Sequence, residues 1–326
     1  MGGGTRNPMK LLVVIVNYRS ADLAIDCLAS LAPQVRNDMR IIITDNQSPD
    51  DSVAKLAAVI ERNGWSAWAT LRPLDRNGGF AYGNNRGIEP ALAADDKPQY
   101  ILLLNPDTVL RPGAVQTLID FMDANPTVGI AGSRLEDPDG TPQVSAFRFH
   151  SIAGEIERSM RLGVVTRLLS NAAIAPPVSN EAGPCDWVAG ASMIIRREVF
   201  ERIGLMDEKY FMYFEEVDFC LQAKRVGWPC WYVPSSRVVH LVGAVSQMSD
   251  ARKHRKRRPA YWFESRRRYF VKNHGWLYAA MADLAFMVGF TLWRIRRLVQ
   301  RKDDPDPPKL LLDSLAHSVF VRGRTV

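Results

Sequence analysis

Residues 11–18 read LLVVIVNY, an apolar run that ends abruptly at Asn17 and Tyr18. A continuous run of β-branched and leucine residues is typical of a strand buried on both faces of a parallel sheet. Two further runs, RIIIT at 40–44 and YILLL at 100–104, also end at polar residues. Ligands of such sheets bind at the carboxyl ends of the strands. The sequence therefore predicts a doubly wound, mostly parallel α/β sheet with a site at those ends.

Helical patterns lie between these runs, so strands and helices alternate along the chain. Residues 151–183 show weak periodicity, which predicts a variable insertion or an acceptor-side loop. The predicted helices are 22–31, 52–63, 112–124 and 216–225, and the further strands are 67–71, 128–131 and 186–196.

The positive charge of the chain is concentrated near its C-terminus. The net charge is +7, yet residues 252–302 hold fifteen Lys and Arg against only Glu264 and Asp283. This asymmetry favours contact with anionic lipid or phosphate, and no recognised nucleic-acid-binding module surrounds the basic residues. We predict a disordered leader at 1–9, a catalytic domain at 10–245 and a basic, partly amphipathic helical extension at 246–326.

Residues 277–293 of this extension are largely apolar, and basic residues follow at once. The segment falls short of the roughly 20 apolar residues that a spanning helix needs. An amphipathic helix in the membrane interface is favoured, and a packed or a spanning helix is the alternative. The four cysteines are widely scattered, as expected of reduced thiols. The expected location is the cytoplasm, peripheral on the inner face of the cell membrane.

The first polar cluster joins Asn17 and Tyr18, after the first strand, to Asp45 and Asn46 after the second. A carboxylate and an amide at neighbouring strand ends are able to hydrogen-bond a base or a ribose. Turn and helix-cap chemistry is the alternative explanation.

The second cluster is NGGFAYGNNRG at 77–87, which contains Asn77, Gly78, Asn84 and Asn85. Glycine lets the backbone approach a ligand closely, and the start of a helix favours an anion. The cluster lacks the GxGxxG spacing of a dinucleotide site. A ligand-binding role is favoured, and a plain loop is the alternative.

The third cluster, Asn105-Pro106-Asp107, follows a buried strand directly. A carboxylate at this position is suited to Mg²⁺ or Mn²⁺, which keeps substrate phosphates in its shell. A turn or cap role is the alternative for Asp107, and packing is the ordinary role of a lone histidine such as His240.

The fourth cluster places Glu215, Glu216 and Asp218 after an aromatic run at 210–214. Acids suit the N-terminus of a helix, which is the plain structural explanation. Apolar surroundings and neighbouring acids also raise the pKa of a carboxyl group, as in a general base. Helical spacing separates Glu216 from the face shared by the other two acids.

Together, these clusters resemble the family-two class of inverting glycosyltransferases, in particular its bacterial rhamnosyltransferase-like branch. The resemblance covers roughly residues 10–243. It rests on VVIVNYRS (13–20), TDNQSPD (44–50), NGGFAYGNN (77–85), LLLNPD (102–107), WVAGASMIIRREVF (187–200), LMDEKYFMYFEEVD (205–218) and VVHLVGAVS (238–246).

The resemblance implies a nucleotide-diphosphosugar transferase fold of the GT-A type. It also implies that Asp107 carries Mg²⁺ or Mn²⁺ through the donor diphosphate, with His240 close by. Asn105 stands where the family often has a second aspartate. The implied nucleotide-sugar-binding residues are Asn17, Tyr18, Asp45, Asn77, Gly78, Asn84, Asn85 and Asn105.

The resemblance further implies that Glu216 is the general base, with Glu215 and Asp218 as supports. The family's usual base is Asp, so the choice among these three acids stays open. The expected reaction is transfer of a sugar such as rhamnose, with inversion, from a nucleotide-diphosphosugar to a polysaccharide or lipid-linked acceptor. A nucleotidyltransferase and a non-catalytic, membrane-attached sugar-nucleotide or polysaccharide-binding subunit are the alternatives.

Overall fold

The computed structural model describes residues 9–241 and 256–324. Within them, strands and helices alternate through the first two hundred residues, and helices alone follow the last strand. The strands are β1 (Leu11–Asn17), β2 (Met39–Asp45), β3 (Ala69–Pro73), β4 (Tyr100–Leu104), β5 (Thr108–Leu110), β6 (Ile130–Glu136), β7 (Ala146–Phe147), β8 (Gly183–Cys185), β9 (Trp187–Val188), β10 (Ser192–Arg196) and β11 (Cys230–His240). The helices are α1 (Ala21–Leu31), α2 (Ser52–Arg62), α3 (Gly79–Ala93), α4 (Ala114–Ala124), α5 (Ile152–Met160), α6 (Gly163–Leu168), α7 (Arg197–Ile203), α8 (Glu215–Arg225), α9 (Ala260–His274), α10 (Trp276–Val299), α11 (Leu310–Ala316) and α12 (Val319–Arg322).

Nine strands of the described residues form one sheet in the order β3-β2-β1-β4-β10-β6-β11-β5, with β8 paired to β11. Strands β3, β2, β1 and β4 are parallel neighbours, and β10 lies antiparallel between β4 and β6. Asn17 pairs in register with Asp45, so the carboxyl ends of β1 and β2 coincide. Alternate side chains of β1 point to opposite faces of the sheet and join two separate hydrophobic cores. Helices cover both faces of the sheet and complete these cores. The predicted α/β fold is confirmed.

The weak strand expected at 67–71 lies two residues further along, as β3. The strand expected at 186–196 is interrupted, because the backbone leaves the extended conformation between β9 and β10. The leader at 1–8 and the start of the basic extension up to residue 255 lie outside the described residues.

The segment 151–183, expected as a variable insertion or an acceptor-side loop, contains helices α5 and α6, which its weak periodicity did not predict. Ser151 begins α5, where its side chain accepts a hydrogen bond from the backbone N–H of Gly154. Helix α5 packs closely against α10, since a side chain at Gly289 would collide with Ser159. The insertion is thus the surface on which the C-terminal helices pack.

A buried ion network fixes α9 and α10 to this insertion. Arg266 of α9 lies 2.5 Å from Asp283 of α10 and 3.0 Å from Glu155 of α5. All three side chains are buried, and buried charges are stable only when they are paired in this way. The acid that interrupts the apolar segment in the sequence is therefore an internal ion-pair partner.

Helix α10 is long and apolar enough to cross a membrane by length and composition alone, but 44% of its apolar window is buried inside the protein. Its other side exposes a stripe of apolar residues at helical spacing. They are Leu277, Met281, Leu284, Val288, Leu292 and Ile295.

Candidate active site

The polar side chains at the ends of β1 and β2 hold each other in place. The Asn17 Nδ2 atom donates to Asp45 Oδ2 at 2.6 Å, and Asn17 Oδ1 accepts from Ser20 Oγ at 2.9 Å. Asp45 also accepts from the backbone N–H and the hydroxyl of Ser48, both at 2.8 Å. Asn17 and Asp45 are fully buried, whereas Tyr18 beside them is exposed. Asn17 and Asp45 are therefore held in fixed positions by their hydrogen bonds, and the neighbouring Tyr18 is exposed to solvent.

The glycine-rich segment at the start of α3 approaches the loop that precedes α8. Asn77 Oδ1 accepts from the backbone N–H of Gly79, and the backbone N–H of Phe80 donates to the carbonyl of Phe211 at 2.9 Å. Gly79 has a φ of +86°, and any side chain there would collide with that carbonyl. Gly78 is needed for a different reason, because a Cβ atom would meet the ring of Tyr82.

The two asparagines of α3 have different environments. Asn85 donates to the carbonyl of Met206 at 2.8 Å and accepts from its N–H at 3.1 Å, so its amide is committed to the protein. Asn84 donates to the carbonyl of Phe80, while its buried Oδ1 has no hydrogen-bond partner among the described residues. A buried polar atom without a partner is rare, and it identifies Asn84 as a group with capacity for a ligand.

Asp107 and His240 meet where β5 pairs with β11. The Nε2 atom of His240 lies 3.6 Å from Asp107 Oδ1, and the backbone N–H of Leu241 donates to the carbonyl of Asp107. Asp107 is buried, and its Oδ1 atom accepts no hydrogen bond from the described residues. No group of three or more His, Cys, Asp or Glu side chains within 9–241 and 256–324 is arranged to hold a metal.

Glu215 and Glu216 begin α8 directly after Tyr213 and Phe214, two non-glycine residues with positive φ. The Oε2 atoms of both acids are buried without a hydrogen-bond partner among the described residues. Burial raises the pKa of Glu216 to about 7. Burial and the charge of Glu216 also raise the pKa of Glu215 well above its usual range.

The third acid of the cluster, Asp218, contacts the following helix α9. It accepts from Lys272 Nζ at 2.7 Å and from Asn273 Nδ2 at 2.6 Å, both on α9. Lys272 also lies 2.8 Å from Asp207. Asp218 is therefore an anchor for α9.

Short contacts link the Asp107 segment to Glu216. The backbone N–H of Asn105 donates to the carbonyl of Ala191 at 3.1 Å. A Cβ atom at the adjacent Gly190 would lie 3.1 Å from the ring of Phe80 and 4.0 Å from the Cβ of Glu216. The strand-end loops, the start of α3 and the start of α8 therefore converge around residues 190–191.

The sequence of the chain matches a known family over its first two thirds. The model of glycosyl transferase family 2 matches residues 12–204. The chain belongs to glycosyl transferase family 2. The matched segment of this glycosyltransferase contains Asn17, Asp45, Asn84 and Asp107, whereas Glu216 and His240 follow it.

Relatives of this glycosyltransferase include rhamnosyltransferases. The N-acetylglucosaminyl-diphospho-decaprenol L-rhamnosyltransferase of Mycobacterium tuberculosis is 29% identical over 239 residues, which cover 71% of this chain and 75% of the relative. The rhamnosyltransferase WbbL of Escherichia coli is 28% identical over 167 residues, which cover 50% of this chain and 60% of the relative. The chain is a rhamnosyltransferase-like glycosyltransferase of glycan synthesis.

The fold of this glycosyltransferase is also found in solved structures. The mannosyltransferase PcManGT from Pyrobaculum calidifontis, in complex with GDP-Man and Mn²⁺, superposes with a TM-score of 0.57 at 14% identity, over 98% of this chain and 85% of that one. This likeness confirms the predicted nucleotide-sugar transferase fold. The family match favours a glycosyltransferase over the nucleotidyltransferase and the non-catalytic binding subunit.

Two contributors to the site were not predicted. Ser48 orients Asp45, and the carbonyl of Phe211 accepts a hydrogen bond from the backbone N–H of Phe80. Ser48 stands in the polar segment after β2, which is typical of turn and cap chemistry. Asn46, a member of the first polar cluster, donates to the carbonyl of Gly79 at 2.9 Å, which ties the end of β2 to α3.

Proposed function

We propose that the enzyme transfers a sugar, with inversion, from a nucleotide-diphosphosugar to a hydroxyl group that Glu216 deprotonates. The observation that carries this proposal is the carboxylate of Glu216, which has a buried oxygen without a partner and lines a cavity of about 780 Å³. A carboxyl group with a pKa near 7 is ionised often enough at neutral pH to accept a proton, and basic enough to do so effectively.

In the reaction, Glu216 accepts the proton of the acceptor hydroxyl group. At the same time, the oxygen of that hydroxyl group forms a bond to the anomeric carbon of the donor sugar. The bond from that carbon to the diphosphate breaks on the opposite face, and a nucleoside diphosphate leaves. The burial of Glu215 beside Glu216 favours its protonated form, so we assign Glu215 to support of the base. Asp218 supports the base indirectly, because it holds α8 against α9.

We propose that the donor lies over the ends of β1 and β2. Asn17 and Asp45 would hold the nucleotide beneath Tyr18, and Asn77, Gly78 and Asn84 would face the sugar-diphosphate. The free Oδ1 of Asn84 supports this placement. The hydrogen bonds of Asn85 to Met206 support a positioning role for Asn85 instead of direct contact.

We propose that Asp107 and His240 hold Mg²⁺ or Mn²⁺ together with the donor diphosphate, next to Asn105. The residues fit such an ion, because Asp107 keeps a carboxylate oxygen without a hydrogen bond beside the imidazole of His240. Two protein ligands are enough for a hard cation that completes its shell with phosphate oxygens and water. When bound, the ion would neutralise the charge that develops on the leaving diphosphate.

Rhamnose is the proposed sugar, and the names of the relatives support it. The decaprenol diphosphate named for the mycobacterial relative supports a lipid-linked acceptor. We assign the catalytic domain to residues 10–245 and the basic extension to 246–326.

The extension is proposed to rest on the cytoplasmic face of an anionic membrane. The apolar stripe of α10 is exposed, whereas its opposite face is packed on α5 through Gly289. Arg301 and Lys302, both exposed, follow the end of this helix, where cations would meet lipid phosphates. Burial of one face of α10 supports an interfacial helix over a spanning one.

A donor screen tests the proposed function. Nucleotide-rhamnoses and other nucleotide-sugars are offered with Mg²⁺ or Mn²⁺ and a lipid-linked acceptor, and the anomeric configuration of the product is read by NMR. A product of inverted configuration is expected with a nucleotide-rhamnose. A retained configuration, or transfer that is unaffected by chelation of the metal, would contradict the mechanism.

A further inference from the structure

The cavity at Glu216 extends away from the strand ends and into the insertion. Its volume is about 780 Å³, and most of its wall is apolar. This volume lies within the usual range of small-molecule sites, roughly 300–1,000 Å³. Aromatic side chains from four separate parts of the chain line it, among them Phe147, Trp187, Phe214 and Trp262.

Two guanidinium groups share one end of this cavity. The Cζ atom of Arg258 lies 4.0 Å from the centre of the Trp262 ring, and the Cζ atom of Arg158 lies 6.0 Å from the same centre. Burial and the charge of Arg158 lower the pKa of Arg258 to about 10. Both groups remain cations at neutral pH, so this end of an apolar cavity is positively charged.

The acids nearby do not neutralise Arg258. Within the described residues, Arg258 forms no ion pair and no hydrogen bond. Glu155 lies 2.8 Å from Arg158, but its Oε2 atom is shared with Arg266 at 3.0 Å. Glu157, which also lines the cavity, accepts from the hydroxyl of Thr166. Because a partly buried cation without a partner is costly, the arrangement is suited to an anion.

Helix α6 reaches the cavity through Thr166, and it exposes two apolar side chains, Val164 and Leu168. The carboxylate of Glu216 and both arginines line the same cavity, and α6 presents apolar surface beside it.

We propose that this cavity is the acceptor site and that Arg258 and Arg158 bind the diphosphate of a lipid-linked sugar. In this arrangement, the Trp262 ring packs against the two guanidinium groups. The sugar of the acceptor lies next to Glu216, and its lipid chain extends out of the cavity beside α6. This proposal rests on the proposed glycosyl transfer, because it assigns the second substrate of the same reaction. It adds a diphosphate subsite separate from the one that Asp107 serves.

Binding, measured without turnover, tests the site. Geranyl diphosphate is titrated calorimetrically into the full-length protein in EDTA, so that no cation can hold the probe at Asp107. Arg258→Gln should weaken binding by about 10- to 100-fold, the effect of losing charge-assisted hydrogen bonds. Arg258→Lys should weaken it less, and Arg62→Gln, on the exposed end of α2, should leave it unchanged.

Two further probes separate the possible sources of the anion. Geraniol and inorganic pyrophosphate should each bind at least tenfold more weakly than geranyl diphosphate. Equal binding of geraniol, equal binding of pyrophosphate, or the same affinity in Arg258→Gln and Arg258→Lys as in the wild type would overturn the proposal. Glu216→Gln should still bind the probe, so a failure of glycosyl transfer and a failure of this site are told apart.

Discussion

Four of the five acids in residues 207–218 form two pairs with opposite environments. Asp207 and Asp218 contact cations of α9: Asp207 lies 2.5 Å from Arg268, and both acids lie within 2.8 Å of Lys272. Glu215 and Glu216 each keep a buried carboxylate oxygen without a hydrogen-bond partner among the described residues.

The pKa values of Asp207 and Glu216 move apart for this reason. Burial alone would raise the pKa of Asp207, but hydrogen bonds from Lys272 and Arg268 outweigh burial and lower it. Burial without such partners raises the pKa of Glu216. The comparison teaches that similar acids on one segment become anchors or proton acceptors according to the cations placed beside them.

The largest expected effect is that of Glu216→Gln, which removes the proton acceptor and keeps the shape of the side chain. Transfer should fall by roughly 10²- to 10⁴-fold, the range for loss of a general base. Binding of the nucleotide-sugar, measured by calorimetry, should persist. Glu61→Gln, at an exposed position of α2, is the matched control. Near-normal turnover in Glu216→Gln would show that Glu216 is not the general base.

Asp107→Asn should produce the next largest loss. The amide keeps the size of the side chain but removes the charge that would hold Mg²⁺ or Mn²⁺. We expect transfer to fall by roughly 10²-fold, and the metal concentration for half-maximal activity to rise. If the metal dependence of the variant matches that of the wild type, Asp107 is not a metal ligand.

The pH profile should reveal the unpaired acid directly. Glu216 accepts a proton only when ionised, so transfer should fall about tenfold per pH unit below its pKa of about 7 and level off above it. The free energy of unfolding should fall as the pH rises. The raised pKa of Glu216 in the folded state stabilises the fold fully below the ordinary Glu value of 4.5, and this contribution is lost as the pH rises through 7. A rate that is flat between pH 5 and pH 8 contradicts the assignment.

The smallest effect on chemistry should come from Asp218→Asn. This change weakens the contacts of α8 with Lys272 and Asn273, which lie 2.7 and 2.6 Å away. The free energy of unfolding in urea should fall by about 1–3 kcal/mol, while kcat stays within a few-fold of wild type. If Asp218→Asn lowers kcat as much as Glu216→Gln does, Asp218 has more than a structural role, and the distinction between the two pairs of acids is wrong.

Much of the sheet was predictable because its parallel strands are buried on both faces, which makes LLVVIV and YILLL continuous apolar runs. The register of Asn17 with Asp45 follows from strands that end at polar residues. The meeting of Asp107 with His240 is a long-range contact, and only the resemblance to a family suggested it.

The insertion was harder to predict, because α5 derives its packing from α10, more than a hundred residues later in the chain. Its apolar residues Ile152, Ile156 and Met160 are few, and local periodicity does not show what will cover them. The role of Asn85 was hidden for a similar reason. Its partner is the backbone of Met206, which no side-chain pattern records.

The close approach at Gly79 also constrains motion. The glycine lies directly against the Phe211 carbonyl, and the hydrogen bond from Phe80 fastens the same two segments. A movement between the start of α3 and the acid-bearing loop would therefore have to break this hydrogen bond and separate two backbone segments that are in direct contact.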